Sequence, residues 1–176
     1  PPRININGSL VLSNSSDLQF GIRGYGDDFP TTLLQTTGSV VLGGKLSVIL
    51  AQGLVSVITN GTSFTVMTNN NILTGAFTNV ASGGQLTTTD GYARFTVLYA
   101  GSRTLRLTNL VIVDSDGDGM PDWWEDENNL DKNVADATLD LDGDGASNIA
   151  EFLAGTDPDF FNSVFRIVAF EREGGN

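Results

Sequence analysis

Over residues 1–111, short runs rich in Val, Ile, Leu, Thr and Phe alternate with polar positions, and no stretch sustains the 3.6-residue period of an amphipathic helix. The period-two pattern predicts β-structure throughout this part, with almost no helix. Three glycine-containing junctions punctuate it. Asn60-Gly61 lies between Leu54–Ile58 and Phe64–Met67, and Asp90-Gly91 lies between Leu86–Thr89 and Ala93–Val97. Both predict hairpins, because a two-residue type I′ turn needs positive φ at its two central residues. Gly43-Gly44, between Val40–Leu42 and Leu46–Leu50, is compatible with a third hairpin or with the corner of a coil whose strands stack in parallel. The alternation ends with Leu107–Val113, which reads as a strand running without a Gly/Ser linker into Asp114. A rigid joint between the β-part and the rest of the chain is therefore expected.

Past that strand the pattern changes. Two short segments of helical character, Asp122–Asn129 and Ser147–Ala154, each come after a dense run of aspartates. Pro121 suits a first helical turn, and Ile149, Phe152 and Leu153 are expected to share one apolar face, with Gly155 as the stop. Charge sharpens the contrast. Residues 1–111 carry six Lys/Arg against four Asp/Glu, whereas residues 112–160 carry one Lys against fifteen Asp/Glu. An acidic run of this density usually belongs to a solvated tail, but here the carboxylates are interleaved with Trp123, Trp124, Leu130, Ile149, Phe152 and Leu153. The segment is expected to fold around positive charge.

The spacing of the carboxylates says which charge. Asp114-Ser-Asp-Gly-Asp-Gly-Met-Pro-Asp-Trp-Trp-Glu125 matches the twelve-residue calcium loop D-x-D-x-D-G with a closing Glu, and Asp140-Leu-Asp-Gly-Asp-Gly-Ala-Ser-Asn-Ile-Ala-Glu151 matches it again. Calcium is a hard cation that takes about six to eight oxygens near 2.4 Å, and alternate residues of a tight loop can turn their carboxylates inward to supply them. The expected ligands are Asp114, Asp116 and Asp118 in the first loop and Asp140, Asp142 and Asp144 in the second. The carbonyls of Met120 and Ala146 stand at position 7. Asp122 and Asn148 stand at position 9, directly or through water, and Glu125 and Glu151 close the sites as bidentate ligands. Gly119 and Gly145 take the sharp turn. Two calcium ions per chain are the expected cofactors.

Composition removes other chemistry. The chain has no Cys and no His, so disulfides, thiol catalysis, the usual general base and the usual transition-metal ligand are all missing. The carboxylates of the β-part are Asp17, Asp27, Asp28 and Asp90, and the adjacent pair Asp27-Asp28 lacks a visible partner for acid–base work. No enzymatic activity is expected. No basic patch suits nucleic acid, no apolar run reaches the roughly 18 residues a membrane span needs, and Pro1-Pro2-Arg3 reads as the start of a processed or excised piece. A carbohydrate ligand has only Trp123 and Trp124 to argue for it, and filling a small core is the favoured reading of both.

The stretch Gly38-Ser-Val-Val-Leu-Gly-Gly-Lys-Leu-Ser-Val-Ile-Leu50, with Phe64–Met67, Thr74–Val80, Phe95–Tyr99 and Leu105–Thr108, resembles the last coils of autotransporter-associated β-helix repeat proteins, which are large secreted bacterial surface proteins. The likeness spans roughly residues 8–113 and implies a β-solenoid end or the β-sandwich that caps one, with no catalytic residues. The two loops, each keeping its exiting helix, with a strand where the first loop's entering helix would be, resemble thrombospondin type 3 repeats and dockerins. The expected organisation is a mainly β protein in three parts: a β-rich domain over 1–111, a paired EF-hand-like calcium module over 112–160, and a terminal strand or the start of a further domain over 161–176. The expected role is a secreted or cell-surface structural or adhesive module stabilised by two calcium ions, with copies of itself or a larger parent surface protein as partner and a self-assembling filament as one form of that role. The alternatives are a calcium-binding spacer in an extracellular polysaccharide-degrading enzyme and a dockerin-like plug for a partner protein. Alternating Arg3–Asn7 and Val164–Phe170 are expected to be unpaired terminal strands.

Overall fold

A computed structural model describes residues 3–23, 33–51 and 53–166. The chain divides into two compact units, residues 1–113 and 114–176. It is mainly β, with mixed sheets in the first unit and two short helices in the second.

In the first unit the chain repeats a circuit. Strands β1 (Ile4–Ile6), β2 (Leu10–Val11) and β3 (Asp17–Ile22) are followed by β4 (Leu34–Thr36), β5 (Val40–Leu42) and β6 (Lys45–Leu50), and then by β7 (Phe64–Asn69) and β8 (Thr74–Gly75). Equivalent strands of successive circuits pair in parallel, with β6 left as the last of its stack among the described residues: Ile4 faces Leu34 and Leu34 faces Met67, Leu10 faces Val40 and Val41 faces Thr74, and Leu18 faces Leu46. Period-two burial results from this stacking. Phe20 and Ile22, Val40 and Leu42, and Leu46, Val48 and Leu50 point inward, while the residues between them stay at the surface or half-buried. Gly43-Gly44 is thus a corner between two sheets rather than a hairpin.

The corner needs glycine for two reasons at once. Gly44 has φ +65°, and a Cβ there would overlap the Ser16 carbonyl of the preceding circuit. Polar side chains tie the circuits together as well. Thr36 donates its hydroxyl to Asn69 Oδ1 at 2.8 Å in the buried interior, across the register pair those residues form. The Asn79 amide accepts from Leu46 N and donates to Leu46 O, at 2.9 and 2.8 Å, so one side chain satisfies the edge of β6 as a strand would.

Antiparallel strands finish the unit. β9 (Gln85–Thr87), β10 (Ala93–Leu98) and β11 (Thr104–Ile112) join β7, giving a six-stranded sheet in the order β1-β4-β7-β11-β10-β9. A hairpin forms around Asp90-Gly91, but not through the expected two-residue type I′ turn: Gly91 is left-handed at φ +91° and Asp90 is not, Thr88 N donates to Ala93 O across a longer loop, and Asp90 Oδ1 accepts from the Thr88 hydroxyl and Tyr92 N. Asn60-Gly61 does not join two strands. Residues 53–57 form turns, because Leu54 and Ile58, four apart, both bury while Val57 faces out. Asn60 instead serves β11, accepting from Ile112 N at 2.8 Å. Phe64 and Phe95 meet edge to face at 5.8 Å, and Phe77 and Tyr99 at 5.4 Å, closing the apolar interior.

In the second unit the helices are α1 (Asp122–Glu127) and α2 (Asn148–Ala154), the latter ended by Gly155 in the left-handed conformation at φ +69°. Met120, Trp124, Leu130 and Ala137 form its core, with Trp123, Ile149 and Phe152 packed against them, and Trp124 meets Phe152 edge to face at 5.2 Å. Leu153 departs from the expected apolar face and is 78% exposed. The core is small, and Ile149 and Phe152 of α2 already fill their side of it. Residues 161–166 carry no strand, and the rest of the expected terminal strand, like Asp27 and Asp28, lies outside the described residues.

Candidate metal centre

The two acidic loops adopt the same backbone, residue for residue. Asp114 accepts from Gly117 N and Gly119 N at 2.8 and 3.1 Å, and Asp140 accepts from Gly143 N and Gly145 N at 2.7 and 3.0 Å. Asp116 Oδ1 accepts from Asp118 N and Asp118 Oδ1 from Met120 N, just as Asp142 Oδ1 accepts from Asp144 N and Asp144 Oδ1 from Ala146 N. Positions 4 and 6 of each loop are left-handed: Gly117 and Gly143 at φ +79° and +76°, Gly119 and Gly145 at φ +102° and +99°. The consensus made only position 6 a requirement. Position 4 is glycine in both loops for the same backbone reason.

In Asp116, Asp142 and Asp144 these bonds fix one oxygen and leave the other, whereas Asp114, Asp118 and Asp140 have both oxygens bonded. Among the described residues, the buried side-chain oxygens without a hydrogen-bond partner are Asp116 Oδ2, Asp142 Oδ2, Asp144 Oδ2, both oxygens of Glu125 and Glu151 Oε2. All come from positions 3, 5 and 12 of the loops. Glu125 and Glu151 are 0% and 1% exposed. Leaving a charged oxygen buried and unpaired costs upward of about 1–3 kcal/mol, so such a cluster is stable only when something positive shares it. Oxygens of Asp114, Asp116 and Asp118 lie within 4.8 Å of one another, as do those of Asp140, Asp142 and Asp144. Ligands about 2.4 Å from one ion can be at most about 4.8 Å apart, so each trio fits a single calcium. The all-oxygen donor set suits calcium and gives zinc none of the nitrogen or sulfur it favours.

The electrostatics agree with the geometry. Burial, reinforced by the charges of Asp116, Asp118, Asp122 and Asp136, pushes the Glu125 carboxyl up to about 8. Glu151 is raised by burial and then by Asp142 and Asp144, with the Thr156 hydroxyl bond opposing, and Asp116 is raised chiefly by burial.

Position 9 behaves differently. Asp122 Oδ1 accepts from Ser115 N at 2.7 Å and Asp122 Oδ2 from the Ser115 hydroxyl at 2.8 Å, while Asn148 Oδ1 accepts from Leu141 N at 3.3 Å. In both loops the position-9 side chain thus fastens position 2 and closes the loop. Met120 and Ala146 occupy position 7 of their loops, and the Met120 side chain is fully buried in the small core.

Searches against family models, curated proteins and solved structures found no match.

One residue outside both loops forms a second oxygen cluster with two residues of the first loop. Oxygens of Asp118, Glu125 and Asp136 lie within 4.8 Å of one another. Asp136 stands in the connector between the loops, eleven residues beyond Glu125, and no loop consensus reaches it. Its only signal in the sequence is that it is one more carboxylate in an acidic segment.

Proposed function

We propose that residues 114–158 are a calcium-binding module that holds two ions, attached to the closing coils of a β-solenoid, and that the whole serves as a secreted or cell-surface, non-catalytic structural or adhesive module. The observation carrying the calcium reading is the set of buried, partnerless carboxylate oxygens of Asp116, Glu125, Asp142, Asp144 and Glu151. The solenoid reading draws on the parallel pairing of three strands per circuit at an offset of about thirty residues, and on the glycine corners between them. Calcium bound at these loops supplies charge compensation and cross-linking rather than reactivity. The chain's own residues set the loop: glycines at positions 4 and 6 bend it, position 9 fastens it, and positions 1, 3, 5 and 12 present oxygen.

Calorimetric titration of the full chain should give two calcium sites per molecule. Excess chelator should lower the melting temperature of the second unit, since an ion that binds the folded form alone stabilises it by mass action, about 2.7 kcal/mol at a hundredfold excess over Kd. Fewer than two sites, or melting that ignores chelator, would refute the reading.

A second reading, a plug that docks into a partner protein, is favoured by the apolar side chains the module leaves in solvent. Leu139, Leu141, Leu153 and Phe161 are all exposed. A calcium-dependent complex whose affinity drops with Leu153→Asp would move the assignment in that direction.

A further inference from the structure

We propose that Asp136 is a ligand of the first loop's cation, supplied from outside the twelve-residue loop, and that the second loop has no equivalent among the described residues. The inference rests on the calcium reading and adds a residue that the loop consensus does not contain.

Three observations carry it. An oxygen of Asp136 lies within 4.8 Å of oxygens of both Asp118 and Glu125, the spacing that ligands of one calcium require. Glu125, the middle of this trio, is 0% exposed, and neither of its oxygens has a hydrogen-bond partner. Third, Asp136 is held on both sides of its carboxylate. Its backbone N–H donates to Asp118 Oδ2 at 3.0 Å, beside Ala137 N at 2.9 Å, and its carbonyl accepts from Asn148 Nδ2 at 3.1 Å. The side chain therefore stands over the first site because its peptide is tied to a ligand of that site and to the helix start of the other loop.

The two loops differ at this point. Asp118 Oδ2 is taken up by the connector's amides, whereas its counterpart Asp144 Oδ2 is buried with no partner. The first loop thus gives one of its own oxygens to the amides that place Asp136, and Asp136 brings a carboxylate in return. Glu151 Oε1 accepts from the Thr156 hydroxyl at 3.3 Å, while both oxygens of Glu125 are left for the site.

The test is calcium calorimetry on the full chain carrying Asp136→Asn, Asp136→Glu or Asp131→Asn. Asp136→Asn keeps the peptide bonds and the shape but removes the charged ligand, and should weaken one of the two sites at least tenfold. Asp136→Glu should recover most of that loss. Asp131→Asn removes a neighbouring exposed carboxylate and should leave both sites within twofold of wild type. Both sites unchanged in Asp136→Asn would overturn the assignment, and so would Asp136→Glu behaving no better than Asp136→Asn, since the loss would then be structural. If Asp136→Asn cannot be folded at any calcium concentration, the Asp136→Glu result decides alone: near-wild-type binding supports a carboxylate ligand, and tenfold weaker binding refutes it. Absence of calcium uptake by the unaltered chain is a separate outcome, which refutes the calcium reading itself.

Discussion

At the scale of single residues, the carboxylates of the second unit divide by task. Asp114 and Asp140 use both oxygens to hold loop amides, Asp122 closes a loop, and Asp116, Asp142 and the two glutamates keep buried oxygens free of partners. Asp116→Ala and Asp142→Ala should each abolish one calcium site while sparing the other loop's ligands, read as a stoichiometry falling from two to one. Glu125 makes a sharper prediction. Its folded carboxyl is pushed up to about 8, above the unfolded value near 4.5, so its contribution favours the metal-free fold below the unfolded value and is lost as pH rises toward 8. A cation at the site holds the carboxylate ionised and takes over the proton's role. Between pH 6 and 7 calcium uptake should therefore release a proton, and the binding enthalpy should depend on the ionisation enthalpy of the buffer. Glu125→Gln should reduce that dependence, and an enthalpy independent of buffer in the unaltered chain would exclude a protonated Glu125. Sequence made the loop aspartates legible because their spacing is itself the coordination geometry. Asp136 was not legible, since what brings it in is a peptide fixed by Asp118 and Asn148, a contact that no spacing rule encodes.

Elements show the same division between what pattern carries and what packing decides. Period-two burial in β3, β5 and β6 tracks the alternation of the sequence, and a hairpin forms where Asp90-Gly91 places it, though over a longer loop than a two-residue turn. Leu54–Ile58 carries just as good a strand pattern and forms turns, because what it must cover is satisfied by Leu54 and Ile58 from one side. Gly43-Gly44 left two geometries open, and the choice between them lay in a neighbour about thirty residues away, Ser16 and Leu12 of the preceding circuit. A matched pair of substitutions separates the two demands on that corner. Gly44 and Gly101 have nearly the same φ, +65° and +68°, but a Cβ at Gly101 meets open space whereas at Gly44 it meets backbone. Gly101→Ala should cost about 1–3 kcal/mol for the left-handed backbone alone. Gly44→Ala should cost clearly more, seen as a larger drop in denaturant midpoint for the first unit. Equal losses would mean the circuits are not in contact at this corner.

At the scale of the molecule, the strand orders leave one set of edges without a strand neighbour among the described residues. β1 ends the six-stranded sheet, β2 ends the three-stranded sheet, and β3 is the outer partner of β6, so among the described residues the first circuit presents three strand edges in the same parallel direction. The expectation of unpaired terminal strands is met only halfway by β1, which pairs with β4 on one side and has no strand neighbour on the other among the described residues. Exposed edges carrying apolar side chains attract further strands, and here Ile4 and Val11 are 64% and 68% exposed. A second copy adding there in parallel would make a head-to-tail contact that does not close on itself, whereas antiparallel pairing of the same edge would close a two-fold dimer. We expect the 176-residue chain in calcium to form assemblies larger than a dimer as concentration rises, monitored by analytical ultracentrifugation. Ile4→Lys with Val11→Lys places charge on two of the three edges without touching the buried face, so it should return the chain to a monomer with melting and calcium stoichiometry unchanged. A chain that stays monomeric at hundreds of micromolar, or a double variant that assembles as well as the wild type, would exclude this edge as the site of assembly.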